Sequence, residues 1–165
     1  MTIYAAPLRD MRFVIHEVFN AADKLTALPG YEEASKDIID AVLEECGKFC
    51  EGVLAPLNQS GDEQGCSFED GEVKTPAGFA EAYRQFVQGG WCSLTASPEL
   101  GGQGLPETLQ YLVDEMVSSA NLSFGLYPGL TQGTIVCLSS HGTDEQKATY
   151  LPKLVSGEWQ GTMCL

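Results

Sequence analysis

Basic side chains are scarce in this sequence. Nine Lys and Arg stand against 23 Asp and Glu, for a formal net charge of −14 over 165 residues. A nucleic-acid partner demands cationic surface, so this balance argues against one. It argues equally against docking on an anionic membrane. Long apolar runs are missing as well. The longest, Gly133 to Ser140, falls far short of the ~20 residues a membrane span needs. Residues 1 to 10 lack a basic stretch followed by an apolar one, so no targeting segment is expected and the location expected is cytoplasmic. Histidine occurs only as His16 and His141, and no CxxC pair is present. Without a second ligand pair near Cys46 and Cys50, no metal site is expected. Nothing in the sequence marks a secreted protein, so Cys46, Cys50, Cys66, Cys92, Cys137 and Cys164 are read as buried free thiols.

What remains is an ordinary globular composition, 44% apolar and 19% charged, and its periodicity is mostly that of helices. Met11, Phe13, Val14, Val18 and Phe19 recur at helical spacing after Asp10, which reads as an N-cap. Ile38, Ile39, Val42, Leu43, Cys46, Phe49, Cys50 and Val53 form an apolar stripe on a helix predicted from Tyr31 to Leu54, ending close to Pro56. Residues 58 to 75 read as a polar loop with a short hairpin around Asp70-Gly71. Thr75-Pro76 resembles a helix start, and Pro106 opens another helix after a glycine-rich loop. The chain breaks around Asn121 to Phe124. A helix over about Tyr127 to Ser140 is apolar nearly all round and is therefore expected to be buried. Thr143 and Gln146 form a capping box for the next helix, which ends by Gly157.

Residues 158 to 165, Glu158 to Leu165, read as a strand. A strand needs a partner for its backbone groups, and no other strong strand precedes it. The expectation is that its partners follow Leu165 and that the sequence is the front part of a longer protein. The domain reading is an N-terminal extension with a helix over 1–30, a helical domain over 31–157, and the start of a β-domain over 158–165.

Three ordered motifs carry a family resemblance. Glu99-Leu100-Gly101-Gly102-Gln103-Gly104-Leu105 is similar to a glycine-rich turn between helices. His141-Gly142-Thr143-Asp144-Glu145-Gln146-Lys147 through Tyr150-Leu151-Pro152 is similar to a G-x-x-x-Q-K-x-x-Y-L-P helix. Gly157-Glu158 followed by Gly161 to Leu165 is similar to the entry of a central β-domain. Together they resemble the acyl-CoA dehydrogenases. The opening Tyr4-x-Ala6-Pro7-x-Arg9-Asp10-Met11-Arg12-Phe13 resembles an extension in a longer-chain branch, which includes dehydrogenases acting on methylmercaptopropionyl-CoA.

The resemblance implies a mostly α fold: the N-terminal helical domain of the acyl-CoA dehydrogenase fold, ending at the first strand of its β-domain. It implies FAD as cofactor, an acyl-CoA substrate, α,β-desaturation of the thioester, and a role in fatty acid metabolism. An electron-transfer flavoprotein would reoxidise the flavin, and the full-length enzyme would be a homo-oligomer. In the family the catalytic base is a glutamate of the C-terminal helical domain, and no residue here matches it, so no catalytic residue is named. Met163, Cys164 and Leu165 align with the strand lying against the flavin. Phe124, Tyr127, Leu130, Thr131 and Thr134 are the candidates for lining the acyl chain, with Gly129 and Gly133 leaving room for it. His141 reads as a helix-end cation rather than a catalyst, and Trp159 as a core anchor. Two other readings stand beside this one: a fragment of an acyl-CoA oxidase, and a stand-alone helical module that binds a protein or lipid partner.

Overall fold

The computed structural model describes residues 4–164. The first helix, α1 (Leu8–Arg12), starts behind Pro7. Asp10 therefore lies in its first turn, where a negative charge suits the helix dipole, rather than at the N-cap position. The coil then widens into a π-helical stretch over Phe13–Val18. Met11 and Ile15 point into the protein, while Phe13, Val14, Val18 and Phe19 stay exposed. A short α2 (Ala21–Thr26) follows.

Helix α3 (Lys36–Phe49) begins at Ser35, whose side chain accepts the Ile38 N–H. The helix does not stop near Pro56. One wide turn over Cys50–Leu54 carries it into α4 (Ala55–Gln64), so residues 58–64 are helical instead of a loop. The reason is local. The Ala55 N–H reaches back five residues to the Cys50 carbonyl. Pro56, which has no N–H to offer, thus sits in a newly begun first turn where proline is tolerated. On α4, Gly61 lies against the Phe79 ring so closely that a Cβ there would come within 2.5 Å of it.

The hairpin forms as expected. Strand β1 (Ser67–Glu69) pairs antiparallel with β2 (Glu72–Lys74), with Phe68 opposite Val73. Asp70 and Gly71 both take positive φ, 53° and 84°, as the tight turn between such strands requires. Helix α5 (Phe79–Gln88) starts later than Thr75-Pro76, because Gly78 at φ 89° interrupts any helix begun there.

Helix α6 (Glu107–Ala120) follows Pro106, and α7 (Leu122–His141) follows after a single non-helical residue, Asn121. Asn121 is buried and serves two partners, α7 and the wide turn before α4. Its Oδ1 accepts the Phe124 N–H at 3.0 Å, capping α7, and its Nδ2 donates to the Leu54 carbonyl at 3.2 Å. Helix α8 (Asp144–Val155) opens with the capping box of Thr143 and Gln146.

The main core lies where α3, α5, α6 and the first turns of α7 meet, around Ile39, Leu43, Leu54, Phe86, Val113, Met116 and Phe124. Phe124 is its aromatic centre, with ring centroids 5.6 to 6.5 Å from Phe49, Phe79, Phe86 and Tyr127. A second, smaller cluster joins Ile135 of α7 to Leu151, Leu154 and Val155 of α8. Half of the thiols leave the predicted interior: Cys46, Cys50 and Cys92 are buried, but Cys66, Cys137 and Cys164 are exposed. Among the described residues, no helix is long and apolar enough to cross a membrane.

Candidate functional site

Helix α7 was expected to be buried all round, and it is not. Phe124, Thr131 and Ile135 are buried, whereas Leu122, Leu126, Leu130 and Val136 are exposed. Beyond its first turns, α7 is packed mainly on α6 and α8, which leaves one long face without a neighbour among the described residues.

Along that face runs a groove of about 790 Å³. Its floor is a stripe of α7 at helical spacing: Gly129, Leu130, Gly133, Thr134, Cys137 and Leu138. Tyr150 of α8 forms one side, and Thr162, Met163 and Cys164 form the other. A Cβ added at Gly129 or Gly133 would meet no atom within 4 Å, so both glycines widen the groove itself.

The expected terminal strand is not formed. Residues 158–164 have neither helical nor strand hydrogen bonding, consistent with a lone strand having nothing to pair with. The segment is nonetheless held in place. The Tyr83 hydroxyl donates to the Gly157 carbonyl at 3.1 Å, and the Gly161 N–H donates to Thr131 Oγ1 at 3.2 Å. Burial pushes the Tyr83 pKa up, so this hydroxyl keeps its proton. Gly161 has no alternative residue, because any Cβ would collide with Thr134. Among the described residues, Thr162, Met163 and Cys164 make no backbone hydrogen bond. Among the described residues, then, nothing of the protein backbone occupies their polar groups beside the groove.

The candidate residues separate into layers. Leu130, Thr134, Met163 and Cys164 line the groove. Thr131 lies beneath it and donates to the Tyr127 carbonyl while accepting from Gly161. Tyr127 packs on the main core, and Phe124 is fully inside it. Leu165 lies outside the described residues. Cys137, Leu138, Tyr150 and Thr162 were not singled out from the sequence. The first two follow from continuing the Gly129–Gly133 stripe by one turn, and Tyr150 carried a motif signal but nothing that placed it at a groove. Trp159 is no core anchor. It is 38% exposed, tilted against Tyr150 at 5.9 Å, with the Lys153 ammonium 4.3 Å from its ring centre. His141 occupies the last turn of α7, as expected.

Chemically, the groove offers apolar surface, hydroxyls and two thiols. Among the described residues its lining holds no carboxylate, imidazole or amine. It can hold and orient a flat or extended apolar group but has no proton acceptor of its own. No cluster of metal-binding side chains occurs among the described residues.

Comparison with known proteins gives this geometry a context. Residues 37–158 match the model of the acyl-CoA dehydrogenase N-terminal domain. Over 162 residues the chain is 47% identical to the 3-methylmercaptopropionyl-CoA dehydrogenase of Ruegeria pomeroyi, covering 98% of this chain and 27% of that protein. It is 32% identical to a butyryl-CoA dehydrogenase of Syntrophomonas wolfei over 166 residues, with the same two coverages. The mitochondrial isovaleryl-CoA dehydrogenase of Bos taurus is 32% identical over 143 residues, 84% of this chain and 30% of that one. The chain thus spans between a quarter and a third of the length of these relatives. On the match over 37–158, and with its helical architecture, the chain belongs to the acyl-CoA dehydrogenase family as an N-terminal helical domain.

Proposed function

We propose that this chain supplies one wall of the flavin and acyl-chain site in an FAD-dependent dehydrogenase that introduces an α,β double bond into an acyl-CoA thioester. The observation that supports this most strongly is the groove beside α7: apolar, widened by two glycines and, among the described residues, without a carboxylate, imidazole or amine in its lining and edged by backbone groups with no backbone hydrogen-bond partner. Those properties suit FAD, whose ring is flat and largely apolar but carries hydrogen-bonding atoms along its edge. When bound, the flavin would accept the β-hydride of the substrate. The backbone of Thr162, Met163 and Cys164, with Leu165 next in sequence, would hold the ring edge. Leu130 and Thr134 would line the acyl chain directly. Thr131, Tyr127 and Phe124 would support that surface from behind and exclude water.

On this reading, residues 1–30 are an extension, 31–157 the helical domain, and 158–165 the entry to a β-domain. The base comes from elsewhere in the full-length protein, so the 165 residues alone are inactive. The substrate class follows the named relatives, with 3-methylmercaptopropionyl-CoA and butyryl-CoA the first to test. An electron-transfer flavoprotein partner, homo-oligomeric assembly and a cytoplasmic location complete the proposal.

The full-length protein is expected to show a bound-flavin absorption spectrum and to reduce an artificial electron acceptor when given either thioester. The 165-residue chain is expected to do neither. Turnover by the short chain, or a flavin-free and inert full-length protein, would overturn the proposal.

A further inference from the structure

Residues 1–36 precede the part of the chain that matches the family domain. They nevertheless carry a surface that the common domain does not explain. Phe13, Val14, Val18 and Phe19 fall within seven residues of one another, and each is between 42% and 57% exposed. Next to them lies a groove of about 320 Å³ lined chiefly by Val14, Ile15, Phe19, Ala21, Leu25 and Leu112. An apolar groove with exposed apolar side chains beside it is the kind of surface that marks an interaction site rather than ordinary solvent-facing protein.

The surface is preformed. The segment that bears it is fastened to the domain along its other side. The Ala6 N–H donates to Glu51 at 2.8 Å, and the Tyr4 hydroxyl donates to the Met116 carbonyl at 3.2 Å. Arg12 pairs with Asp40 at 2.9 Å and also with Glu44, and His16 Nε2 lies 3.0 Å from Asp40. Burial opposes the charge on Asp40. The hydrogen bonds from His16 and Arg12 outweigh it and hold the carboxyl below its usual range, so the anchor is charged at neutral pH. The π-helical turn keeps Ile15 inward and leaves Phe13, Val14, Val18 and Phe19 facing out.

Chain length indicates what covers this face. The two bacterial relatives named above match 98% of the chain, and so most of residues 1–36, and they are long: 162 or 166 residues are 27% of their length. In the isovaleryl-CoA relative, 143 residues already make up 30%, and only 84% of this chain is matched. The difference in total length exceeds what residues 1–36 account for. The N-terminal segment therefore accompanies a second addition elsewhere in the long proteins.

Resting on the reading of this chain as the front of a long dehydrogenase, we infer that the Phe13–Phe19 face and its groove are the docking site for that second addition, an apolar segment of the same polypeptide beyond residue 165. The two additions are halves of one intramolecular interface. Neither a second copy nor a membrane is needed to cover the patch.

The test uses the full-length protein with a photoreactive benzoylphenylalanine at position 19. Irradiation and peptide mapping should give a bridge within one chain, to a peptide that shorter family members do not have. A bridge between two chains, a bridge to a region the short members share, or no protein bridge at all would overturn the inference. Phe19→Glu should also speed backbone hydrogen exchange of the added segment by about tenfold or more, while residues 36–155 keep their protection. Unchanged exchange there counts against docking. Flavin content and thioester turnover are measured on the same samples. If these are normal while the bridge is wrong, the docking idea alone fails; if they are absent, the dehydrogenase reading fails.

Discussion

The two ends of α7 are built from similar side chains and are treated oppositely by the fold. At the first turns, Phe124 is surrounded by Phe49, Phe79, Phe86 and Tyr127, and Asn121 closes the helix end with buried hydrogen bonds. Further along, Leu130 and Val136 are 39% and 63% exposed, and two glycines open space instead of filling it. Apolar composition alone therefore does not determine burial. At the first end, Phe124 is enclosed by neighbours among the described residues. The second end has α8 on one side and a groove on the other, which is what a ligand or a further layer of protein requires.

Substitutions at Phe124, Asn121 and Thr131 probe this contrast in decreasing order of effect, with Val136 as the exposed control for the first. Phe124→Ala removes the centre of the aromatic cluster and should cost about 3–5 kcal/mol in denaturant unfolding. Val136→Ala, on the exposed side of the same helix, should stay within about 0.5 kcal/mol. Equal losses at the two positions would erase the distinction. Asn121→Ala loses the cap on Phe124 and leaves the buried Leu54 carbonyl without its donor, for about 2–3 kcal/mol. Asn121→Asp keeps the cap oxygen but not the donor, so it should recover only part of that loss. A full recovery would mean that the bond to Leu54 contributes nothing. Thr131→Val should cost only about 1 kcal/mol overall. Its signature is local: faster hydrogen exchange at Gly161 with no change around Phe124. Unaltered exchange at Gly161 would detach the terminal segment from α7 in solution.

Features set by neighbours in sequence were legible without a structure. The capping box of Thr143 and Gln146, the Asp70-Gly71 turn and the Pro106 helix start each follow from local backbone chemistry. The ordered motifs of residues 98–165 pointed to the family, and Gly129 with Gly133 pointed to the groove. Features that depend on distant partners were not legible. Pro56 read as a stop because the wide turn before it leaves no mark in the sequence. The apolar helix read as buried because nothing local tells a missing neighbour from a present one. The same holds for Glu158 to Cys164, whose strand-like alternation describes a preference that pairing alone can realise.

The wide turn at Cys50–Leu54 also sets a phase. One residue more or less in a helix rotates everything downstream by about 100°. With the turn as it stands, α4 presents Gly61 to the edge of the Phe79 ring. Deleting a single residue between Cys50 and Leu54 would restore uniform winding and yet swing Ser60 or Asp62 toward that ring, where neither fits. The irregularity works as an angular offset that keeps two straight helices in step with the aromatic core between them.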